Sequence, residues 1–296
     1  TASAVAVIDD RILAVGSLAE LEAAARGQPY RIDRTFADKV LVPGLIAQHT
    51  HPVLAALTMR SEIISIEDWV LPERTIPAVR DRPGYLHRLR QADAALSDPT
   101  QPLFTWGFHQ DFHGKLTRAD LDAINPTRPI IVWHRSAHEF IVNSGAMTTY
   151  SITAAWAAKQ TSGAQATIDL AEGHFWEQGM FPVMPLLAPA VATPERLRDG
   201  LLFLRTYMHA NGVTTGAEPG GVVDKQLQEA QNAIFGSPDN PFRFYYIADG
   251  KTMGEKYLDG DMIGETEKLY AWGQGNTAFL RGQAKLFADG AIFSQD

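Results

Sequence analysis

The chain has 296 residues, enough for one large barrel or two domains, and its 45% hydrophobic and 20% charged residues are the balance of a globular protein with a sizeable core. A net charge of −8 argues against a nucleic-acid-binding surface, and no apolar run is long enough to span a bilayer. With no cysteine there are no disulfides and no thiolates, so a transition-metal site has to use histidine, carboxylates or a modified lysine.

Residues 4–8 and 11–15 are short apolar segments joined by Asp9-Asp10, the pattern of a tight hairpin. Ser17-Leu18-Ala19-Glu20 is a capping box opening a short helix that ends near Gly27, and Tyr30 to Asp33 is extended. These pieces place residues 1–43 in a small β-rich domain. The Val40–Ile46 run reads as a buried strand, continuous in apolar residues as parallel strands often are. A helix is predicted from Gly84 to Ser97, a strand over Leu103–Phe108, a capped short helix from Thr117, and a strand over Pro129–Trp133. Residues 148–192 carry no clear period. Thr193-Pro194 then starts a helix with Leu197, Leu201, Leu204 and Met208 at helical spacing and Gly212 as its stop. Val213–Thr215 is a strand, Val222–Phe235 a helix, Phe242–Ile247 a strand, 254–272 a long helical stretch, and Ala284–Ala288 a strand. This alternation is the pace of a parallel α/β fold.

The chemistry concentrates at Val42-Pro43-Gly44-Leu45-Ile46-Ala47-Gln48-His49-Thr50-His51-Pro52. On a strand, side chains i and i+2 share a face, so His49 and His51 present two imidazoles side by side, half of a metal site. The plain alternative is two polar residues where a strand becomes a loop.

The strand ending in His49 and His51, then Gly212-Val213-Thr214-Thr215, then Lys285-Leu286-Phe287-Ala288-Asp289-Gly290 resemble, in that order, the amidohydrolase superfamily of metal-dependent hydrolases. The likeness is greatest to its long-insert branch, which includes N-substituted formamide deformylases. Ala4–Gly16, Leu116 to Asp122, Arg128-Pro129, and His138 with Val142-Asn143-Ser144 resemble that branch too. The resemblance implies a TIM-type (β/α)8 barrel with a small β-rich N-terminal domain. The barrel occupies residues 44–296, with an insertion at about 53–190, and only about its first half is present. It implies two divalent ions, zinc foremost, held by His49, His51 and a carboxylated Lys285 that bridges them. The alternative for Lys285 is a strand-end cation or a partner of Asp289. The two further histidines and the aspartate general base that the family uses are expected beyond residue 296. Ala47 departs from the family, which often has aspartate there.

Within the insertion, Trp106-Gly107-Phe108-His109-Gln110-Asp111-Phe112-His113 lacks a helix start and reads as a substrate-contacting loop rather than a second metal site. His109 and His113 are its candidate binding residues, with a polar surface loop as the alternative. His138, by resemblance, and Trp176 in Gly173-His174-Phe175-Trp176-Glu177 are further candidates for substrate binding. Aromatic residues near 104–112 and 175–181 hint at an apolar or aromatic substrate group. His87 and His209 read as structural or solvated. Glu218, just past a strand, would lie where barrel active sites gather and could back a ligand histidine.

The expected activity is hydrolysis of an amide or related C–N bond of a small molecule by a metal-activated water. Hydrolysis of a lactone or phosphoester on the same site, and a non-catalytic binding relative, are the alternatives. No nucleic-acid or membrane partner is expected, a homo-oligomer is left open, and the location is expected to be cytoplasmic. Thr1 stands where an initiator methionine would, so the chain is expected to be part of a longer one.

Overall fold

In a computed structural model, which describes residues 2–221 and 223–288, the chain divides into two units, Thr1–Pro43 and Gly44–Asp296. In the first, β1 (Ala4–Ile8) pairs antiparallel with β2 (Arg11–Gly16), and Asp9 takes a positive φ of 51° at the turn. Helix α1 (Leu18–Ala24) follows with both capping-box hydrogen bonds formed between Ser17 and Glu20.

The second unit opens with β3 (Leu45–Ala47) and α2 (Pro52–Met59). The buried strand expected over Val40–Ile46 is corrected: only three residues are strand, Val40 is 88% exposed and Ile46 63% exposed. Two-sided burial needs neighbours on both faces, and β3 stands at the edge of its sheet among the described residues.

The insertion builds a sheet of its own. Its elements are β4 (Glu62–Ile63), the small hairpin β5 (Trp69–Val70) and β6 (Thr75–Ile76), α3 (Arg82–Ala95), β7 (Leu103–Phe108), α4 (Gln110–His113), α5 (Arg118–Asp122), β8 (Ile130–His134) and β9 (Glu139–Val142). Short helices α6 (Ser144–Thr149), α7 (Ala154–Ala157) and α8 (Ser162–Gln165), strands β10 (Ile168–Asp169) and β11 (His174–Trp176), and α9 (Met180–Val191) complete it. The strand order is β10-β11-β9-β8-β7-β4, parallel from β4 to β8 and antiparallel beyond. Alternation along β8 explains the continuous apolar run: Ile130 and Val132 pack with Tyr85 and Leu89 of α3, while Ile131 and Trp133 pack with Val183 and Leu187 of α9. Motifs that carried the family resemblance here are joints. Ser144 donates to Asp122, Asn143 bonds the backbone of Ile130 and Asn125, and buried Arg128 pairs with Asp93 at 2.7 Å.

The chain then returns through α10 (Pro194–Ala210), β12 (Val213–Pro219), α11 (Lys225–Phe235), β13 (Arg243–Asp249), α12 (Gly250–Tyr257), α13 (Met262–Leu269) and β14 (Thr277–Lys285). The expected helix start at Val222 lies outside the described residues; α11 begins after its cap Asp224. The single helix expected over 254–272 is two, broken at Gly260-Asp261 where Asp261 caps α13. The last strand begins at Thr277, earlier than expected, and ends on Lys285. Four parallel strands in the order β14-β13-β12-β3 result, so the fold is mixed α/β with parallel sheets; the described strands do not close a barrel. Among the described residues no helix is long and apolar enough to cross a membrane.

Leu201, Leu204 and Met208 of α10 bury against Ala56 and Met59 of α2 and Phe244 of β13. The two helices touch where Gly200 lies on Ala56, and a Cβ at Gly200 would collide with the Ala56 carbonyl. In an exposed helix Gly→Ala stabilises by roughly 1 kcal/mol. Here overpacking against backbone outweighs that gain, and Gly200→Ala should lower stability by about 1–3 kcal/mol in urea unfolding. An unchanged or higher midpoint would show that the helices can separate at no cost.

Candidate metal centre

Side chains at the carboxyl ends of the four parallel strands come together. Strand β3 stops at Ala47, so His49 and His51 lie in the loop beyond it, not on the strand as the sequence suggested. The chain is turning into α2, whose cap is His51 and whose first residue, Pro52, needs no N–H partner. The rings still converge: their centroids are 5.0 Å apart at 78°, and Nε2 of His49 faces Nε2 of His51 at 3.1 Å. Thr50 N–H donates to the Ala217 carbonyl at 2.9 Å, tying this loop to β12.

Glu218 of β12 sits under His51, with Oε1 at 3.2 Å from Nδ1. Its side chain is 8% exposed, and burial pushes its carboxyl above the ordinary value, His51 pulls it back, and nearby Asp249 adds to the rise. Asp249 ends β13, is buried, and accepts from Thr252 N–H as the cap of α12. It is the register partner of Lys285, the last residue of β14. Partial burial, His51 and the Lys285 cation hold His49 below the ordinary imidazole value. Lys285 also lies 5.0 Å from the Phe287 ring centroid. Its other suggested partner, Asp289, lies outside the described residues, as does Gly290.

Two adjacent glycines make room. Gly220, at φ 71°, would place a Cβ 2.7 Å from the Lys285 stem, and a Cβ on Gly221 would collide with the Glu218 carboxylate.

The donor set fits a divalent ion in part. Two imidazole nitrogens on a tetrahedral zinc stand about 3.3 Å apart, close to the Nε2 separation here. Among the described residues no three histidine, aspartate or glutamate side chains are grouped to hold an ion, so His49 and His51 need a donor of another kind or from elsewhere.

The candidate binding residues of the insertion fall on the other sheet. His109 caps α4, so the segment that seemed to lack a helix start does form a short helix. His113 is fully buried, stacks on Tyr85 at 4.4 Å, accepts from His109 N–H through Nδ1 and meets the Val79 carbonyl through Nε2 at 2.8 Å. Both ring nitrogens are thus committed inside the fold, and the expectation that His113 contacts substrate is corrected to a core histidine. Phe104 and Phe108 are likewise buried in the sheet. His109 lies 5.8 Å from His134, centroid to centroid. His134 reaches Ser136 and, at 3.6 Å, Glu139, whose other oxygen is 2.6 Å from His174 Nε2. His174 packs on Trp176, and His138 Nδ1 meets Glu177 at 2.7 Å. His109, His138 and Trp176 therefore share one end of the insertion sheet, organised around Glu139. Sequence reasoning missed that buried carboxylate; a glutamate opening an otherwise apolar strand, Glu139-Phe140-Ile141-Val142, was the available signal.

No family model and no curated protein matches the chain. Two solved structures share its fold. An uncharacterized metal-dependent hydrolase from Pyrococcus horikoshii OT3 matches with a TM-score of 0.60 and 14% identity over 97% of this chain and 51% of its own. An uncharacterized metal-dependent hydrolase from Pyrococcus furiosus matches with a TM-score of 0.55 and 15% identity over 98% and 53%. The chain spans about half the length of each, and at such identity the likeness is one of fold.

Glu139 yields a pH prediction. Burial raises its carboxyl, but the His174 hydrogen bond and the charges of His134, His174 and His138 outweigh burial and leave it below the ordinary value. A depressed carboxyl contributes stability that is present above the unfolded value and is lost as pH falls through the folded one. Glu139→Gln should cost on the order of 1–3 kcal/mol near neutrality, and the deficit should shrink as pH drops below the usual glutamate range. Urea midpoints of both proteins across pH read this directly; a pH-independent deficit would contradict it.

Proposed function

We propose that this chain is part of a metal-dependent hydrolase and that His49 and His51 supply two of its metal ligands. The observation that carries the reading is the pair of imidazole Nε2 atoms facing each other at 3.1 Å beside the ends of parallel strands, with Nδ1 of His51 held by buried Glu218. Facing lone pairs need a shared proton or a shared cation. The fold shared with two proteins named metal-dependent hydrolases supports the same reading.

In this reading Lys285 is the third ligand, as a carbamate. The ammonium first gives up one proton; its neutral Nζ then adds to carbon dioxide, an N–C bond forms as a C–O π bond opens onto oxygen, a second proton leaves the nitrogen, and a cation becomes an anionic oxygen donor. That change also removes the positive charge felt at His49. The proposed complement is two zinc ions in a barrel completed beyond this chain, with an amide or related C–N bond as the bond cleaved. A divalent ion there supplies Lewis acidity toward the scissile carbonyl and an activated water. The residues present do the holding: His49 and His51 orient the donor atoms, Glu218 fixes His51, and Asp249 anchors the start of α12 beside them. His138 and Trp176 are proposed to face a small-molecule substrate from the insertion.

Elemental analysis of the full chain after exposure to zinc and bicarbonate should find about two ions per chain. One ion removes the bridge and with it the role of the Lys285 carbamate, and none overturns the metal reading. His49→Ala should lose both bound metal and turnover. Rates on matched amide, lactone and phosphoester substrates test the bond: an amide that is not preferred overturns the C–N assignment.

A further inference from the structure

Glu218 does more than lie near the proposed ligands, and Gly221 is the reason it can. We propose that Glu218 is a positioning residue that fixes the tautomer of His51, holding hydrogen on Nδ1 so that Nε2 faces the site with a free lone pair, and that Gly221 is required because a side chain there would displace the carboxylate. The inference rests on the metal reading above for its purpose, but its geometry stands in the metal-free protein.

An imidazole ligand binds through one nitrogen, and the hydrogen bond made by the other decides which. His51 Nδ1 is 3.2 Å from Glu218 Oε1, the contact that an Nδ1–H donating to a carboxylate oxygen makes, and this geometry is what the proposal rests on. With the hydrogen on Nδ1, His51 Nε2 would be bare and would accept from His49 Nε2, 3.1 Å away. One hydrogen pattern is therefore expected in the metal-free pair: Nδ1–H on His51 and Nε2–H on His49. Glu218 can serve because its own position is fixed. Its strand is paired on both sides, Gly216 with Ala47 and Glu218 with Tyr246, and its side chain is 8% exposed. Its carboxylate occupies the space a Cβ of Gly221 would fill. Neither residue belongs to the two-histidine motif, and neither is a proposed ligand.

The experiment uses the full chain, with and without zinc, and the variants Glu218→Ala, Glu218→Gln and Gly221→Ala. Nitrogen-15 NMR of the metal-free proteins reads the histidine tautomers, and competition with a chelator reads zinc affinity. The wild type should show Nδ1–H on His51. Glu218→Ala should lose that preference and bind zinc at least tenfold more weakly. Glu218→Gln, whose amide oxygen still accepts, should keep the tautomer and lose about threefold or less. Gly221→Ala should reproduce Glu218→Ala with the carboxylate still in the sequence, and it carries the test if Glu218→Ala does not fold. An Nδ1–H His51 and unchanged zinc affinity in both alanine variants would overturn the proposal. If the wild type binds no zinc, the metal reading fails, and the metal-free tautomers still decide the role of Glu218.

Discussion

The parallel register between β3 and β12 governs the strand-end cluster. Leu45 N–H donates to Gly212 and Thr50 N–H to Ala217, both at 2.9 Å, so the segment carrying the histidines is clamped to β12 at both ends. A slip of one residue would turn Glu218 to the opposite face of the sheet and leave His51 Nδ1 without its carboxylate. The same ladder continues outward: β12 fixes β13, and β13 sets Asp249 opposite Lys285 on β14. Glu218, Asp249 and Lys285 each come from a different strand and the two histidines from the loop after a fourth, so these four parts would not meet without the sheet. The helices supply the force that holds it, since Leu201, Leu204 and Met208 of α10 join Phe244 and Tyr246 of β13 in one buried cluster.

The insertion solves a different problem. A sheet covered on both faces has no water to receive a polar side chain, so its histidines must be satisfied internally. His113 uses backbone atoms on both nitrogens; His134 and His174 share Glu139; His138 has Glu177. His138 and His174 nevertheless remain partly exposed, with side chains at 38% and 31%. A carboxylate holds one nitrogen of each ring while the side chain stays partly exposed. His113, buried with both ring nitrogens on protein atoms, has no such exposure.

Sequence pattern was informative where one force dominates. Capping chemistry is local, so the starts at Ser17, Thr117 and Thr193 were legible, as were α10 with its apolar stripe and the fully buried β8. The Val40–Ile46 run misled because apolarity marks what a chain would bury, while exposure depends on which strands and helices are present to cover it. The two histidines were legible as a pair, though for a partly mistaken reason: the loop, not strand alternation, brings their rings together. Glu218 was visible only as a residue after a strand. Its contact with His51 spans 167 positions and follows from the register of two parallel strands, which no local pattern encodes. The Gly220-Gly221 pair reads locally as a turn, and its service to Lys285 and Glu218 is legible only in three dimensions.

The two histidine clusters differ in how their rings are held. Around Glu139 each buried imidazole has its acceptor or donor within the protein, and the carboxylates balance the charge that the rings can take up. At the strand ends the balance is broken. Two Nε2 atoms face each other, one carboxylate serves Nδ1 of one ring, and a lysine cation stands near the other. Replacing His51 with an apolar side chain would leave the buried Glu218 carboxylate without that partner, so the loop and the carboxylate are tied together. One hydrogen between the two Nε2 atoms satisfies the pair in the metal-free protein, and a cation can take that hydrogen's place. A cation is the partner whose chemistry matches two such nitrogens.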